Sequence, residues 1–280
     1  MARDARNSGQ PLSTGLELVL NACEGELQIV LTDDERLVCA QTWNMVQRGT
    51  EILAPALRQI FDLSGRKIAN LRRIGCLRGP GSFTGIRLVL ATAAALRRTT
   101  RAQLAAMDYL QALATTCAKQ EQLLYGRKIW VLTHARRNLV HCCLHQCYGP
   151  VIPCYAEEAV ELVAPAEAFE RIKACAEREE LPVFACGSGL ARNRDLEARL
   201  LALCCGRVRV RSDIVSPSVE ALMLLGRHGD YFPKDVEPLY VRPCDAVENL
   251  PSLAERMGMD AGEAVEELQD KLGRRPESAI

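Results

Sequence analysis

Aromatic residues make up only 5% of this 280-residue chain, so its interior has to be built mainly from Leu, Val, Ile and Ala. Nothing approaches eighteen uninterrupted apolar residues, which excludes a membrane-spanning helix. Charge of one sign is missing as well: 35 Lys and Arg face 35 Asp and Glu, a formal net charge of zero. Domains that hold nucleic acid through a global field are strongly basic, so this chain is not expected to bind tRNA or DNA tightly alone. Local patches remain, at Arg72, Arg73 and Arg78 and again at Arg207, Arg209 and Arg211. The opening MARDARNSGQPLSTG lacks the apolar stretch of a secretory signal, and the expectation is a cytoplasmic protein. GxxxxGK[ST] and HExxH are both absent, as is any recognisable nucleophile–base frame.

Cysteine is present in quantity but without a pattern. The count of 13 is odd, the spacing is irregular and no CxxC occurs, so neither a disulfide framework nor a zinc ribbon is indicated. Most of these thiols are expected to be small buried hydrophobes. One cluster is dense, His141-Cys142-Cys143-Leu144-His145-Gln146-Cys147. Its alternation is that of a strand, with Val140, Cys142 and Leu144 on one face and His141, Cys143 and His145 on the other. Ligands from one strand face do not close a tetrahedron, so no metal is assigned. A thiol or metal sensor built on Cys142, Cys143 and Cys147 is the minor alternative.

The chain then reads as strands and helices in a repeated order. Strands are expected at Leu16–Leu20, Leu27–Leu31 and Leu37–Ala40, in the quick succession of an antiparallel meander. A helix over residues 50 to 63 is predicted, with Thr50 as N-cap and Pro55 near its first turns. A strand Arg73–Leu77 leads through a glycine-rich loop into a helix from Ile86 to Arg98, and a second helix is expected from about Ala105 to Ala118. Strands follow at Lys128–Leu132, Asn138–Cys147, Pro182–Cys186 and around Val208. Helices are predicted at 164–179 and from a Ser216-Pro217-Ser218 cap through Leu225. Meander, helix, strand, loop and helix thus come twice, an α/β arrangement with a two-lobe hint. From Ala246 onward acids outnumber bases two to one.

The most informative stretch is Arg78-Gly79-Pro80-Gly81-Ser82-Phe83-Thr84-Gly85. A strand that ends at glycines and feeds a helix offers free N–H groups to an anion. Yet glycines at 79, 81 and 85 fit neither phosphate-loop signature, and no lysine stands near to meet a phosphate. By spacing alone this is a tight turn with Ser82 or Thr84 as N-cap.

The wording of the stretch adds to its spacing. GPGSFTGIRLVLATAAAL closely resembles the signature of the TsaB (YeaZ) family of tRNA threonylcarbamoyladenosine proteins. Thr50-Glu51-Ile-Leu-Ala-Pro55 is similar to that family's SE-x-LLP helix start, with Gly49 where a histidine is common. Ala135-Arg136-Arg137 matches its DAR segment, with His134 in place of the aspartate. Gly187-Ser188-Gly189, Pro217 and Glu237-Pro-Leu-Tyr-Val-Arg242 match its later motifs. The likeness covers residues 16 to 244 in order. At the end of the first strand the family reads A-I-D-T, whereas here it is Leu20-Asn21-Ala22. An aspartate there faces metal and phosphates in the wider superfamily, and Asn21 lacks that charge.

The resemblance implies an actin-like/Hsp70-like (ASKHA) fold, two lobes each with a mixed β-sheet flanked by helices. The corresponding division is a disordered leader at 1–11, a first lobe at 12–118 with 218–244 packing back on it, a second lobe at 119–217 and an acidic tail at 245–280. It also implies a non-catalytic subunit without cofactor or metal. Such a subunit is a homodimer when alone, and it pairs with a TsaD-like catalytic subunit and a TsaE-like ATPase. That complex transfers threonylcarbamoyl to the anticodon-adjacent adenosine of ANN-decoding tRNAs, and tRNA meets this chain only through it. A nucleotide-dependent transferase or glycoprotease-like enzyme of the same superfamily is the alternative. The expected partner face draws on both helices of the first lobe: Ile52, Ala56 and Leu57 from one, Ile86, Leu90, Ala93 and Ala94 from the other.

Overall fold

Leu16–Asn21 (β1), Glu26–Asp33 (β2) and Arg36–Asn44 (β3) form the expected antiparallel meander. After it come the helix Gly49–Ser64 (α1), the strand Leu71–Leu77 (β4), the helix Phe83–Thr100 (α2) and the strand Gln103–Met107 (β5). β4 lies parallel to β1 and β5 parallel to β4, giving the order β3-β2-β1-β4-β5. The helix Tyr109–Gln120 (α3) leads into a second sheet. This computed structural model describes residues 15–44, 48–136, 138–203 and 206–241, together with Ala254, Asp260 and Gly262. The leader at 1–11 and all but three residues of the tail at 245–280 lie outside the described residues. The chain divides into two units, Met1–Leu239 and Tyr240–Ile280. Everything below concerns the first.

The second sheet repeats the first. Lys128–Arg136 (β6) pairs antiparallel with Leu139–Gln146 (β7), which also carries Tyr155–Ala156 (β8) and Glu161–Val163 (β9). The helix Pro165–Arg178 (α4) then leads to Val183–Cys186 (β10), which lies parallel to β6. Two short helices, Ser188–Ala191 (α5) and Arg194–Leu201 (α6), precede Val208–Arg211 (β11), parallel to β10. The order β11-β10-β6-β7-β8 is that of β5-β4-β1-β2-β3 in the first sheet. The last helix, Val219–Arg227 (α7), returns to pack on β1, β2 and β4.

Each sheet is covered on both faces. Leu18, Leu20, Ile29 and Ile74 meet Leu53, Leu57, Ile60 and Phe61 of α1 and Val89 and Ala93 of α2. Trp130, Leu132, Val183 and Ala185 meet Phe169 and Ile172 of α4 and Leu196 and Leu200 of α6. Between the sheets lie α3 and α7, where Leu110, Leu113, Leu222 and Leu225 join Val19, Val30, Val131 and Phe184 in one core. Most of α3 is buried, as its run of Ala, Thr and Cys requires for a helix held between two sheets. No helix among the described residues is long and apolar enough to cross a membrane.

Two local expectations need correction, and a third holds. Ala105 belongs to β5, opposite Gly75 of β4, and the helix begins only at Tyr109. Apolar residues buried on every side blur the period by which strand and helix are told apart. Thr50 lies inside the first turn of α1. Arg48 takes the N-cap position without a side-chain capping bond and pairs with Glu51 at 2.9 Å. Ser218 does cap α7, its Oγ accepting from Ala221 N at 3.2 Å.

Candidate functional site

The glycine loop 79–85, the end of β1 and the turn after β10 come together where the two sheets meet. Ser82 is the N-cap of α2, its Oγ accepting from Gly85 N at 3.3 Å. Gly79–Pro80 is a cis peptide. Gly79 O accepts from Tyr109 N at 2.9 Å, which ties the loop to α3. Thr84 and Phe83 are in the first turn and exposed.

What the loop's donors and glycines meet is the chain itself. Ser82 N donates to Cys23 O at 2.6 Å. A Cβ at Gly85 would overlap the carbonyl oxygen of Ala22, and one at Gly81 that of Cys23. The glycines are therefore required by the close approach of the β1–β2 turn, whose carbonyls lie against the N-terminus of α2. A phosphate bound there would have to displace them.

Asn21 has a structural occupation of its own. It is 1% exposed. Its Oδ1 accepts from Cys23 N at 3.0 Å and its Nδ2 donates to Gln28 Oε1 at 2.8 Å. Gln28 Nε2 passes the chain on to Pro217 O at 2.8 Å. An amide both gives and accepts, and an aspartate could not make the donation to Gln28. The substitution noticed in the sequence thus fits a hydrogen-bond relay from β1 to the segment before α7.

The second sheet mirrors this arrangement. Gly187 ends β10 at φ +112°, and a Cβ there would overlap Leu132 O on β6. Ser188 Oγ accepts from His134 N at 2.9 Å and donates to Glu24 Oε1 at 2.7 Å. Glu24, in the β1–β2 turn, therefore latches the first sheet to the second. Its other oxygen, Oε2, is buried and accepts no hydrogen bond from a described residue. The neighbouring Tyr109 hydroxyl donates instead to Val215 O at 3.1 Å. Burial pushes the Glu24 carboxyl up to about 7, against the hydrogen bond from Ser188 and the pull of Arg192. Burial, with Arg192 adding to it, lowers His134.

A cavity of 110 Å³ lies beside the loop, lined by Glu26, Thr50, Ser82, Thr84, Gly85 and Leu88 among others.

The residues expected to form a partner face are divided by the fold. Ala56, Leu57, Ile86 and Ala93 are between 0% and 5% exposed; Ala56, Leu57 and Ala93 belong to the core under the first sheet and Ile86 to the core between the sheets. They present no exposed face, because α1 and α2 spend those positions on the two cores that flank the first sheet. Ile52, Leu90 and Ala94 are only partly exposed. The positions open to solvent there are Ala91 and Ala95 on α2, beside Ala54 and Pro55 on α1, while Leu88 is partly exposed like Leu90 and packs against the core. Spacing at 91 and 95 carries that signal in the sequence, one step round the helix from 86, 89, 90 and 93. His134 and Ser188 stood out only as motif positions, and Glu24, Arg192 and Tyr109 had no comparable signal. Their partners lie more than fifty positions apart.

Comparison with known proteins fits this geometry. Residues 46–186 match the family model of TsaD, tRNA N6-adenosine threonylcarbamoyltransferase. The chain belongs to the TsaD family. It is similar in structure to YeaZ from Pseudomonas aeruginosa, at 17% identity and a TM-score of 0.64 over 81% of this chain and 99% of that one. A second Pseudomonas aeruginosa structure, of an uncharacterized protein with similarity to peptidase YeaZ, is 18% identical with a TM-score of 0.63. It covers 81% of this chain and 100% of its own. No curated protein matches the sequence. The fold is the actin-like/Hsp70-like one that the motifs implied, and the chain is a member of the tRNA threonylcarbamoyladenosine family of proteins.

Proposed function

We propose that this chain is a non-catalytic subunit of the assembly that transfers threonylcarbamoyl to the anticodon-adjacent adenosine of tRNA. In this reading a TsaD-like partner supplies the chemistry and a TsaE-like ATPase completes the complex. The observation that carries it is the seating of the Ala22 and Cys23 carbonyls on the glycines of the 79–85 loop. The N–H groups and the space that family members with nucleotide chemistry would need are used for packing. Asn21 supports the same reading, since its side chain is committed to Cys23 and Gln28. The balanced charge supports a chain that meets tRNA only through its partner.

The partner face we propose is built from the exposed Ala91 and Ala95 with Ala54 and Pro55, flanked by the partly exposed Leu88. Small residues let a second helix pair approach closely, so one patch serves a homodimer or a TsaD-like subunit. The test is reconstitution. Threonylcarbamoyl transfer to tRNA by the TsaD-like and TsaE-like proteins is expected only when this chain is added, with no ATP hydrolysis by the chain alone. Metal-dependent hydrolysis by the isolated chain, lost on Asn21→Ala, would instead favour a nucleotide-dependent enzyme. Ala91→Glu should leave the chain folded but halve its mass in light scattering and abolish the stimulation. An unchanged mass would remove this face from the reading.

A further inference from the structure

Charge on α2 is of one sign. The helix carries Arg87, Arg97 and Arg98 and has no aspartate or glutamate. Phe83, Arg87, Ala91, Ala95 and Arg98 follow one another at helical spacing, and all five are exposed. That row therefore has small residues in its middle and a cation towards each end.

The two ends differ in what they do for the helix. Arg97 and Arg98 suit the negative, C-terminal end of the helix dipole. They share one carboxylate: Arg97 Nε donates to Asp235 Oδ1 at 3.0 Å and Arg98 Nη2 to Asp235 Oδ2 at 3.2 Å. Two guanidinium groups on one carboxylate leave that end net positive. Arg87 lies in the second turn, towards the end where the dipole is positive, so the helix gains nothing from its charge. It stacks on Phe83, with Cζ 3.7 Å from the ring centroid, and Phe83 is itself 37% exposed. Stacking takes the face of a guanidinium, whereas a carboxylate binds its N–H edge. An arginine already held on a ring also gives up less side-chain freedom when a partner binds it. The neighbouring α1 with its cap adds no net charge, since Arg48 pairs with Glu51 at 2.9 Å and Arg58 with Asp62 at 3.6 Å.

We propose, resting on the partner face assigned above, that the arginines of α2 select a subunit whose own helix carries carboxylates over a second copy of this chain. A two-fold axis sets α2 against its counterpart either parallel or antiparallel. In the parallel case Arg87 meets Arg87. In the antiparallel case, centred between Ala91 and Ala95, Arg87 meets the Arg98 end of the copy. Both arrangements bring like charges together, and α2 has no carboxylate to set against them. A helix of another subunit with acids about eleven residues apart, roughly 16 Å along its axis, meets both ends. Repulsion of the wrong partner and attraction of the right one then come from the same side chains. The homodimer still forms through the small residues and is the weaker of the two complexes.

The experiment measures two affinities of the full chain, in wild type and in Arg87→Gln. Self-association is read by light scattering over a dilution series, and binding to the TsaD-like subunit of the reconstitution by titration calorimetry. Glutamine removes the charge and keeps a long polar side chain. The expected result is movement in opposite directions. Arg87→Gln should bind the TsaD-like subunit about three- to fivefold more weakly and its own copy about as much more tightly. A salt series on wild type needs no variant: from about 0.05 M to about 0.5 M sodium chloride the mixed complex should weaken and the homodimer tighten.

Movement of both affinities in the same direction, or of neither, would overturn the proposal, and so would a homodimer that salt weakens. A complex of the isolated chain with tRNA that both salt and Arg87→Gln weaken would overturn it too, because the arginines would then be reading phosphate. Ala91→Glu separates the charge selection from the face itself. If Ala91→Glu abolishes binding of the TsaD-like subunit while Arg87→Gln changes nothing, the face stands and the selection falls. If Ala91→Glu leaves that binding unchanged, both fall.

Discussion

The two sheets solve one packing problem in two ways. In each, a parallel strand (β4 or β10) is followed by glycines that press on a backbone carbonyl, just past the end of β1 in the first sheet and within β6 in the second. In the first, the turn is capped by Ser82 and opens an 18-residue helix. In the second, Gly187 holds φ +112°, no side chain caps the four-residue α5, and Ser188 is turned instead to Glu24. The comparison teaches that a glycine-rich strand-to-helix turn is no evidence of a phosphate site by itself. Here the same geometry is demanded by backbone meeting backbone, and the second turn spends its hydroxyl on joining the lobes.

The largest effect should come from breaking the second turn. Gly187→Ala puts a Cβ against Leu132 O at a φ that side chains rarely adopt, and is expected to cost about 4 kcal/mol or more. Gly85→Ala meets Ala22 O but keeps an ordinary helical backbone, so it should cost less, about 3 kcal/mol. Urea titrations of both variants order the two turns. Equal losses would mean that the positive φ of Gly187 adds nothing.

Ser188→Ala removes the donor to Glu24 and the acceptor for His134 N together, an expected loss of about 1–3 kcal/mol. Glu24 itself makes the latch sensitive to pH. Its carboxyl is raised to about 7 in the folded chain from an ordinary 4.5. The folded state therefore holds the proton more tightly than the unfolded state. The stabilising contribution is complete below about 4.5 and is lost as pH rises through 7. Glu24→Gln keeps an acceptor for Ser188 and cannot ionise. Relative to wild type it should gain about 1–3 kcal/mol between pH 5 and pH 8. A difference independent of pH would show that Glu24 is ionised throughout.

The smallest stability effect tests the first turn. Ser82→Ala removes the N-cap of α2, at about 1 kcal/mol, and Ser218→Ala on α7 should cost the same. If Ser82→Ala costs several times more, the hydroxyl does more in this loop than cap a helix.

Much of this was readable in the residues. Alternation fixed the strands of the meander and of β7, where Val140 and Cys142 face one core and Cys143 the other. The capping serines at 82 and 218 were visible because capping is a local matter, decided within four residues. The 105–118 stretch was misread because β5 and α3 are apolar on all sides, and period carries no information when every face is buried. Four of the residues expected at a partner face, Ala56, Leu57, Ile86 and Ala93, are buried for a related reason. Leu and Ala recur on both faces of α2, and only the sheet beneath selects which face is inside.

Sequence by itself therefore determined the α/β class, the duplicated order of elements and the family signature, because those rest on spacing along the chain. The tertiary structure alone decided what the signature does here. That Gly81 and Gly85 receive the carbonyls of Cys23 and Ala22, that Asn21 serves a relay reaching Pro217 through Gln28, and that Glu24 reaches Ser188 are facts about residues up to 189 positions apart. Hydrogen bonds and close contacts act over a few ångströms of space, and separation along the chain gives no measure of it.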